Sequence, residues 1–346
     1  MFKLNGGKAR HVMQIYIFIA MTALDVLVFV NGWTDAPNAI TCPIVTGCMR
    51  PGKAIAMAGI FNLAGCLSMC FFGGKVAEIT ASIADFSFTG TGLPAVKAFS
   101  AGIIAVVIWA FAAWIFGIPT SESHGLLAAV SGAAVAYAVK NGASPFDAID
   151  GKAWTAVGIG LAVSTLPAYL AAKMCTLITG RIDKSSIKPH GTFYRNSQIT
   201  LAAVGAYLHG AQDGQKFVGM FIMLRTMTAH QASADKKALM PAILTAVIMT
   251  LGTLMGGTRI IQHTGSDMVT LDLRRGFCAD IASGAILAAC LGIGLPVSTT
   301  HAKNCAIMGA GREPDMKIVR ELVCAWVLTF PICAALGFLL ALAFSM

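Results

Sequence analysis

Charge-free windows alternate with short polar interruptions along this chain. Residues 98–118 (AFSAGIIAVVIWAFAAWIFGI), 238–258 (ALMPAILTAVIMTLGTLMGGT) and 322–346 carry no charged side chain. Each reaches the roughly 20 residues that a helix needs to cross a bilayer. The stretches 15–30, 54–72, 153–172 and 197–208 with its continuation have the same character. The pattern predicts membrane-spanning helices, which satisfy their own backbone polar groups where no water can. The interruptions are the informative part. "FVNGWTDAPNAI" (29–40) sets Asn31, Thr34, Asp35 and Asn38, with Gly32 and Pro37, directly after an apolar run.

The interruptions recur. "HGAQDGQKFVGM" (209–220) aligns Gly32 with Gly210 and Asp35 with Asp213 at an offset of 178, with Lys216 opposite Asn38. "GIPTSESHG" (117–125) aligns with "GLPVSTTHA" (294–302) at an offset of 177. There Pro119 meets Pro296, Ser121 meets Ser298, Glu122 meets Thr299, Ser123 meets Thr300 and His124 meets His301. A weaker match pairs 154–167 with 326–331 at a smaller offset. Two repeats whose polar breaks meet near the midplane are the build of membrane transporters. An odd number of spans per half inverts the second half and puts both termini opposite the central loop. About 15 residues (125–139) lie between "PTSESH" and Lys140, short for a span. A re-entrant hairpin is therefore expected there, and again at "PVSTTH", since irregular backbone at that depth must be covered or line a cavity. The expected fold is an all-α polytopic membrane protein with two inverted-topology repeats, discontinuous helices and two re-entrant hairpins. The repeats are expected at 1–180 and 197–346, with a basic cytoplasmic linker at 181–196 carrying Arg181, Lys184, Lys188 and Arg195.

Composition agrees with the pattern. Of 346 residues, 56% are hydrophobic and 12% charged, against about 25% charged in soluble domains. The net charge of +9 fits basic cytoplasmic loops. No interleaving of aromatic and basic residues points to nucleic acid. Lys3, Lys8 and Arg10 precede the first apolar run. No clean cleavage site follows it, so the first span is expected to be retained. The same basic residues pull against placing the N-terminus outside. Ten cysteines are scattered without a C-x-x-C pair, which suits apolar packing and supports neither zinc nor a disulfide framework.

The candidate chemistry sits in the interruptions. Ser121, Ser123, Ser298, Thr299 and Thr300 each follow a proline that opens a helix. Helix starts leave unbonded N–H groups and carry partial positive charge, so two converging starts lined with hydroxyls make an oxyanion receptor. Capping explains one hydroxyl per helix, not three in a row. Asp35 and Asp213 are expensive in a bilayer unless paired, protonated or hydrated. They can hold a hard cation such as Na⁺, carry a proton, accept the P–OH of phosphate, or form a structural bridge such as Asp213–Lys216. Asn38 and Gln215 add amides able to coordinate a cation or to donate to an oxyanion. Glu122 breaks the symmetry with a titratable group. His124 and His301 fit proton relays and turn-locking hydrogen bonds equally, and Asp25 fits a functional role or a buried hydrogen bond. A hydrolase triad of Ser121, His124 and an Asp is the rival from another class. It lacks a base set to face its nucleophile, and no catalytic residue or enzyme activity is expected.

At these residues the chain resembles the inorganic phosphate transporter (PiT) family, from about residue 15 to 335. "NGWTDAPNA" and "HGAQDGQK" are similar to its paired signatures around G-A-N-D-x-x-N/Q-K, and "PTSESH" and "PVSTTH" to its paired Pro-x-Ser-Ser/Thr-Ser/Thr-His turns. The resemblance implies an inverted-repeat symporter in the cell membrane that moves phosphate with Na⁺ or H⁺ and needs no other cofactor. It assigns phosphate to Asp35, Asn38, Ser121, Ser123, Asp213, Ser298, Thr299 and Thr300. Coupling cations go to Asp35, Asn38, Glu122, Asp213 and Gln215, with Na⁺ at Asp35 and Asp213. Thr34 and Gln212 stand where the family has Asn, and Glu122 where it has a hydroxyl. The alternative substrate is sulfate or another tetrahedral oxyanion. Expected partners are the transported ions and the bilayer; a homodimer is left open.

Overall fold

The computed structural model describes residues 6–72, 74–86, 92–116, 120–184, 191–228 and 239–345. In the first half, α1 (Gly6–Thr34) stops at the first polar interruption. Pro37 lacks the N–H that would continue the ladder. The chain passes instead through a 3-10 turn, Ala36–Ile40, into the short α2 (Thr41–Val45). Then come α3 (Pro51–Phe72), α4 (Lys75–Ala81), α5 (Leu93–Phe116), α6 (Glu122–Lys140) and α7 (Gly151–Ile182). The second half holds α8 (Gly191–Thr228), α9 (Leu239–Met255), α10 (Thr258–Ile261), a π-helical turn Gln262–Asp267, α11 (Leu273–Ile293), α12 (Thr299–Ala310) and α13 (Met316–Phe344).

Among the described residues, five helical segments are long and apolar enough to cross a membrane. Counting the bent pair Leu239–Met255 and Thr258–Asp267, which turns by 66°, makes six. The protein is a multi-pass, all-helical membrane protein. Its polarity runs opposite to that of a soluble domain. Large apolar side chains such as Phe18, Ile60, Leu166 and Leu339 face outward. Asn31, Asp35, Asp213 and Lys216 are almost wholly buried. Lipid is as apolar as leucine, so apolar surface gains little by turning inward, and close packing with polar contacts must hold the helices together.

The packing repeats with the halves exchanged. α1 packs on α9, as α8 packs on α3; α6 packs on α13, as α12 packs on α7. α5 touches α1, α6 and α13, while α11 touches α8, α12 and α7. Each of the four principal crossings is drawn close by glycines. Gly32 lies against the Met249 carbonyl and Gly252 against that of Phe29; Gly65 faces Tyr207 and Gly210 faces Asn62. Gly132 and Gly337 meet the carbonyls of Ala334 and Ala129, and Gly160 and Gly309 meet those of Pro296 and Tyr169. Pro167 and Pro331, the matched prolines of the weaker repeat, sit inside α7 and α13.

Three features differ from the sequence expectation. α8 runs unbroken through the second polar signature. Gln215 stands there where the first half has Pro37, so the helical ladder has no missing donor. α11 is long and apolar enough to cross a membrane although it escaped the charge-free windows, because Arg274, Arg275 and Asp280 interrupt its apolar run. α6 has 19 residues and starts at Glu122, longer than the 15 expected. Around the centre of the chain, α7 ends at Ile182 and α8 begins at Gly191. Lys3, Pro119 and Lys188 lie outside the described residues.

A methyl group at Gly132 or Gly337 lands on backbone oxygen, which cannot rotate away. Gly132→Ala and Gly337→Ala are expected to destabilise the protein by about 1–3 kcal/mol each. Gly158→Ala is the control, because its Cβ meets nothing within 4 Å. Thermal unfolding in detergent checks this, with an unchanged midpoint only for the control.

Candidate functional site

The two turns and the two signatures converge. Ser121 Oγ donates to Ser298 Oγ at 3.0 Å, joining turns far apart in sequence. Each of these serines also caps its own helix. Ser121 Oγ accepts from His124 N at 3.4 Å and Ser298 Oγ from His301 N at 3.2 Å. Capping uses only the first hydroxyl of each cluster, and the others turn to the signatures. Thr299 Oγ1 donates to Asp213 Oδ2 at 3.4 Å. Thr300 Oγ1 accepts from Asn38 Nδ2 at 3.2 Å. Ser123 Oγ accepts from Lys216 Nζ at 3.1 Å.

Asn31, one helical turn before Asp35, ties the carboxylates together. Its Nδ2 lies 3.1 Å from Asp35 Oδ2 and 3.4 Å from Asp213 Oδ2. On α8, Lys216 Nζ pairs with Asp213 Oδ1 at 2.6 Å and also donates to the Val297 carbonyl. The structural salt bridge is thus formed, within the site and not apart from it. His209 Nε2 lies 3.4 Å from Asp213 Oδ2, while its Nδ1 meets Asn62 Oδ1 at 3.0 Å. Glu122 Oε1 meets the hydroxyl of Thr34. Among the described residues neither Asp35 nor Glu122 has a lysine or arginine at ion-pair distance.

A cavity of about 280 Å³ opens on the Asp35 side, lined by Thr34, Asp35, Asn38, Thr120, Glu122, Thr300 and Asn304, with Arg259, His263 and Asp267 on its wall. At ~30 Å³ per water it has room for roughly nine waters. Several lining groups retain unused capacity. Asn38 Oδ1, Glu122 Oε2 and both amide atoms of Asn304 have no partner among the described residues. In a low-dielectric interior such groups are costly unless something else completes them. The donor set suits both members of an ion pair, with amide and hydroxyl hydrogens for an oxyanion and carboxylate and carbonyl oxygens for a hard cation.

The sequence-derived candidates Asp35, Asn38, Ser121, Glu122, Ser123, Asp213, Ser298, Thr299 and Thr300 all enter this network. Gln215 does not take part in these contacts; its Oε1 accepts from Val76 N at 3.1 Å and caps α4. His301 Nδ1 lies 2.7 Å from Ser298 Oγ, which suits a turn lock. The His124 ring lies 4.9 Å from those of both His301, edge-on, and Phe330, and neither of its nitrogens has a partner among the described residues. Asp25 lies on α1 with its Oδ1 unpaired among the described residues.

Sequence reading missed Asp280 and Lys303, a buried ion pair on α11 and α12 beside Cys42. A crevice of about 20 Å³, lined by Asp35, Asn38, Thr299, Asp280, Ser283 and Lys303, joins this pair to the site. It is large enough for about one water. Two opposite charges inside apolar helices were the available signal.

Comparison with known proteins places these features in context. Residues 31–337 match the Phosphate transporter family. A Bacillus subtilis (strain 168) protein named "Probable low-affinity inorganic phosphate transporter" is 31% identical over 332 residues, covering 94% of this chain and 95% of its own. A protein of the same name from Rhizobium meliloti (strain 1021) is 30% identical, covering 89% and 90%. The solved structure titled "The sodium-dependent phosphate transporter" superposes with a TM-score of 0.80 at 16% identity, over 95% of this chain and 98% of that one. With its repeated signatures, its joined serine–threonine turns and a match spanning nearly its full length, this chain belongs to the phosphate transporter family.

Proposed function

We propose that the protein is a secondary active symporter of inorganic phosphate in the cell membrane, coupled to Na⁺ or H⁺ and working by alternating access. The observation that carries this reading is the meeting of the Asp35 and Asp213 carboxylates through Asn31, beside hydroxyls from both turns. Phosphate near neutral pH keeps a P–OH donor, so a site with carboxylate acceptors among hydroxyl and amide donors favours it over fully deprotonated sulfate. Asp35, Asn38 and Thr300 contribute from the cavity; Ser121, Ser123, Asp213, Ser298 and Thr299 contribute from the joined turns. Asp35 and the unpaired Asn38 Oδ1 supply hard oxygens for a cation that offsets the charge of the anion. At Asp213 the Lys216 ammonium already fills the cation's place. The recurrence of helix pairs with the halves exchanged supports two inverted repeats, at 1–180 and 197–346, which rock against each other about the site.

Purified protein in liposomes is expected to accumulate radiolabelled phosphate under an imposed Na⁺ or proton gradient. Uptake under neither gradient would falsify the symport reading. Asp35→Ala is expected to abolish uptake while leaving thermal stability near that of the wild type. Asp213→Ala strands a buried ammonium, and breaking such a pair costs about 3–5 kcal/mol. Adding Lys216→Met to Asp213→Ala is expected to restore much of that stability but not transport, so calorimetry and uptake separate packing from function. Excess sulfate is expected to leave phosphate uptake unchanged. Competition by sulfate instead assigns the site to tetrahedral oxyanions in general.

A further inference from the structure

Glu122 is the position at which one turn carries an ionisable acid and the other a hydroxyl, Thr299. The carboxyl is 3% exposed and opens α6 immediately after the cap Ser121. Its Oε1 meets Thr34 Oγ1. That hydroxyl also lies 2.9 Å from the Val30 carbonyl, which can only accept. A hydroxyl has one hydrogen. If Thr34 gives it to Val30, the contact with Glu122 needs a hydrogen from the acid. If Thr34 gives it to Glu122, the carboxylate is accommodated instead. The geometry therefore serves both protonation states, and rotation of the Thr34 hydroxyl accommodates each as the carboxyl gains or loses its H⁺. The helix start favours the charged form, while burial without a paired cation favours the neutral one. A group balanced in this way can load and discharge.

The surrounding charges leave Glu122 without a permanent counter-ion. Lys216 on α8 is committed to Asp213, Ser123 and the Val297 carbonyl. Asp35, next to Thr34, is a second acid with no ion-pair partner among the described residues. His124 follows on α6 itself, and His301 on α12 is bonded to Ser298. Arg259, His263 and Asp267 stand on the cavity wall, with Arg259 over the Trp114 ring at 5.9 Å. The centre holds three acids, Asp35, Glu122 and Asp213, against one ammonium, Lys216, with the His209 ring 3.4 Å from Asp213, so neutralising Glu122 lowers the repulsion that an incoming anion meets.

Resting on the symport reading, we propose that Glu122 is a proton-binding site of the transport cycle, distinct from the cation site at Asp35. Its carboxylate takes one H⁺ from water in the cavity and as the acid donates to Thr34. It returns that H⁺ to water on the opposite side once the anion has left.

The test uses full-length protein in Na⁺-free liposomes loaded with a pH-sensitive dye and given radiolabelled phosphate. Proton entry per phosphate moved is expected to drop by about one in Glu122→Gln; Glu122→Asp is expected to keep the wild-type ratio. Comparing variants at one pH cancels the protons that phosphate itself exchanges. A wild-type ratio in Glu122→Gln overturns the proposal. If that variant moves no phosphate, infrared spectra of the purified proteins decide. A carboxylic-acid band present in the wild type and lost in Glu122→Gln supports the proposal, and identical spectra overturn it. A wild type that moves no phosphate under any gradient defeats the symport reading instead, and the infrared band then reports on the Glu122 proton alone.

Discussion

The centre of the molecule hangs on one buried ion pair. An ammonium has three hydrogens, and Lys216 spends them on Asp213, Ser123 and the Val297 carbonyl. Asp213 Oδ2 receives Asn31 and Thr299. Taking two charges out of water is repaid only when such remaining valences are filled. Here they are filled from α1, from the start of α6, from α8 and from the approach to α12. Both charges belong to α8, so withdrawing any one of the other elements leaves the pair intact but a valence of it unfilled in a low-dielectric interior. The pair therefore links the two halves through its remaining hydrogen bonds.

The other side of the site is built in the opposite way. Asn31 Oδ1, Asn38 Oδ1, Glu122 Oε2 and the Asn304 amide all retain unused bonding capacity among the described residues. Every one of them except Asn31 belongs to a residue lining the cavity. Packing alone would select against this, since each unsatisfied group costs about 1–3 kcal/mol. A saturated face at Asp213 and an unsaturated face at Asp35 divide the labour between the signatures. One carboxylate is held by an ammonium and the other faces the cavity.

Much of this was legible in the sequence. Charge-free windows located most spans because lipid tolerates little else. The recurrence of Asp35 at Asp213 and of Ser121 at Ser298 foretold residues that meet in space. What escaped had a physical reason. α11 was hidden by charges that pair with groups on other helices, Arg274 with Asp183 and Asp280 with Lys303, and a local window does not see such partners. Gln215 read as a site residue by its place in the motif, yet the approach of α4 gave its amide a backbone N–H to bind. Asn31 aligns with His209, a different residue type, so its bridge from Asp35 to Asp213 depended on a tertiary contact that the repeat does not encode.

The asymmetry between the signatures follows from two neighbouring aligned pairs, Pro37 with Gln215 and Asn38 with Lys216. Pro37 ends the helical ladder after Asp35, and Gln215 lets it continue past Asp213. A continuous helix holds Lys216 one turn beyond Asp213, at the spacing where side chains on one face meet, and so permits the permanent pair. A broken helix turns Asn38 aside toward Thr300 and leaves Asp35 without such a neighbour. The two matched motifs thereby carry a resident ammonium beside Asp213 and no such cation beside Asp35 among the described residues. A strictly symmetric centre would have either two unpaired carboxylates, repelling an incoming anion, or two fixed ion pairs, with no place for a cation that comes and goes.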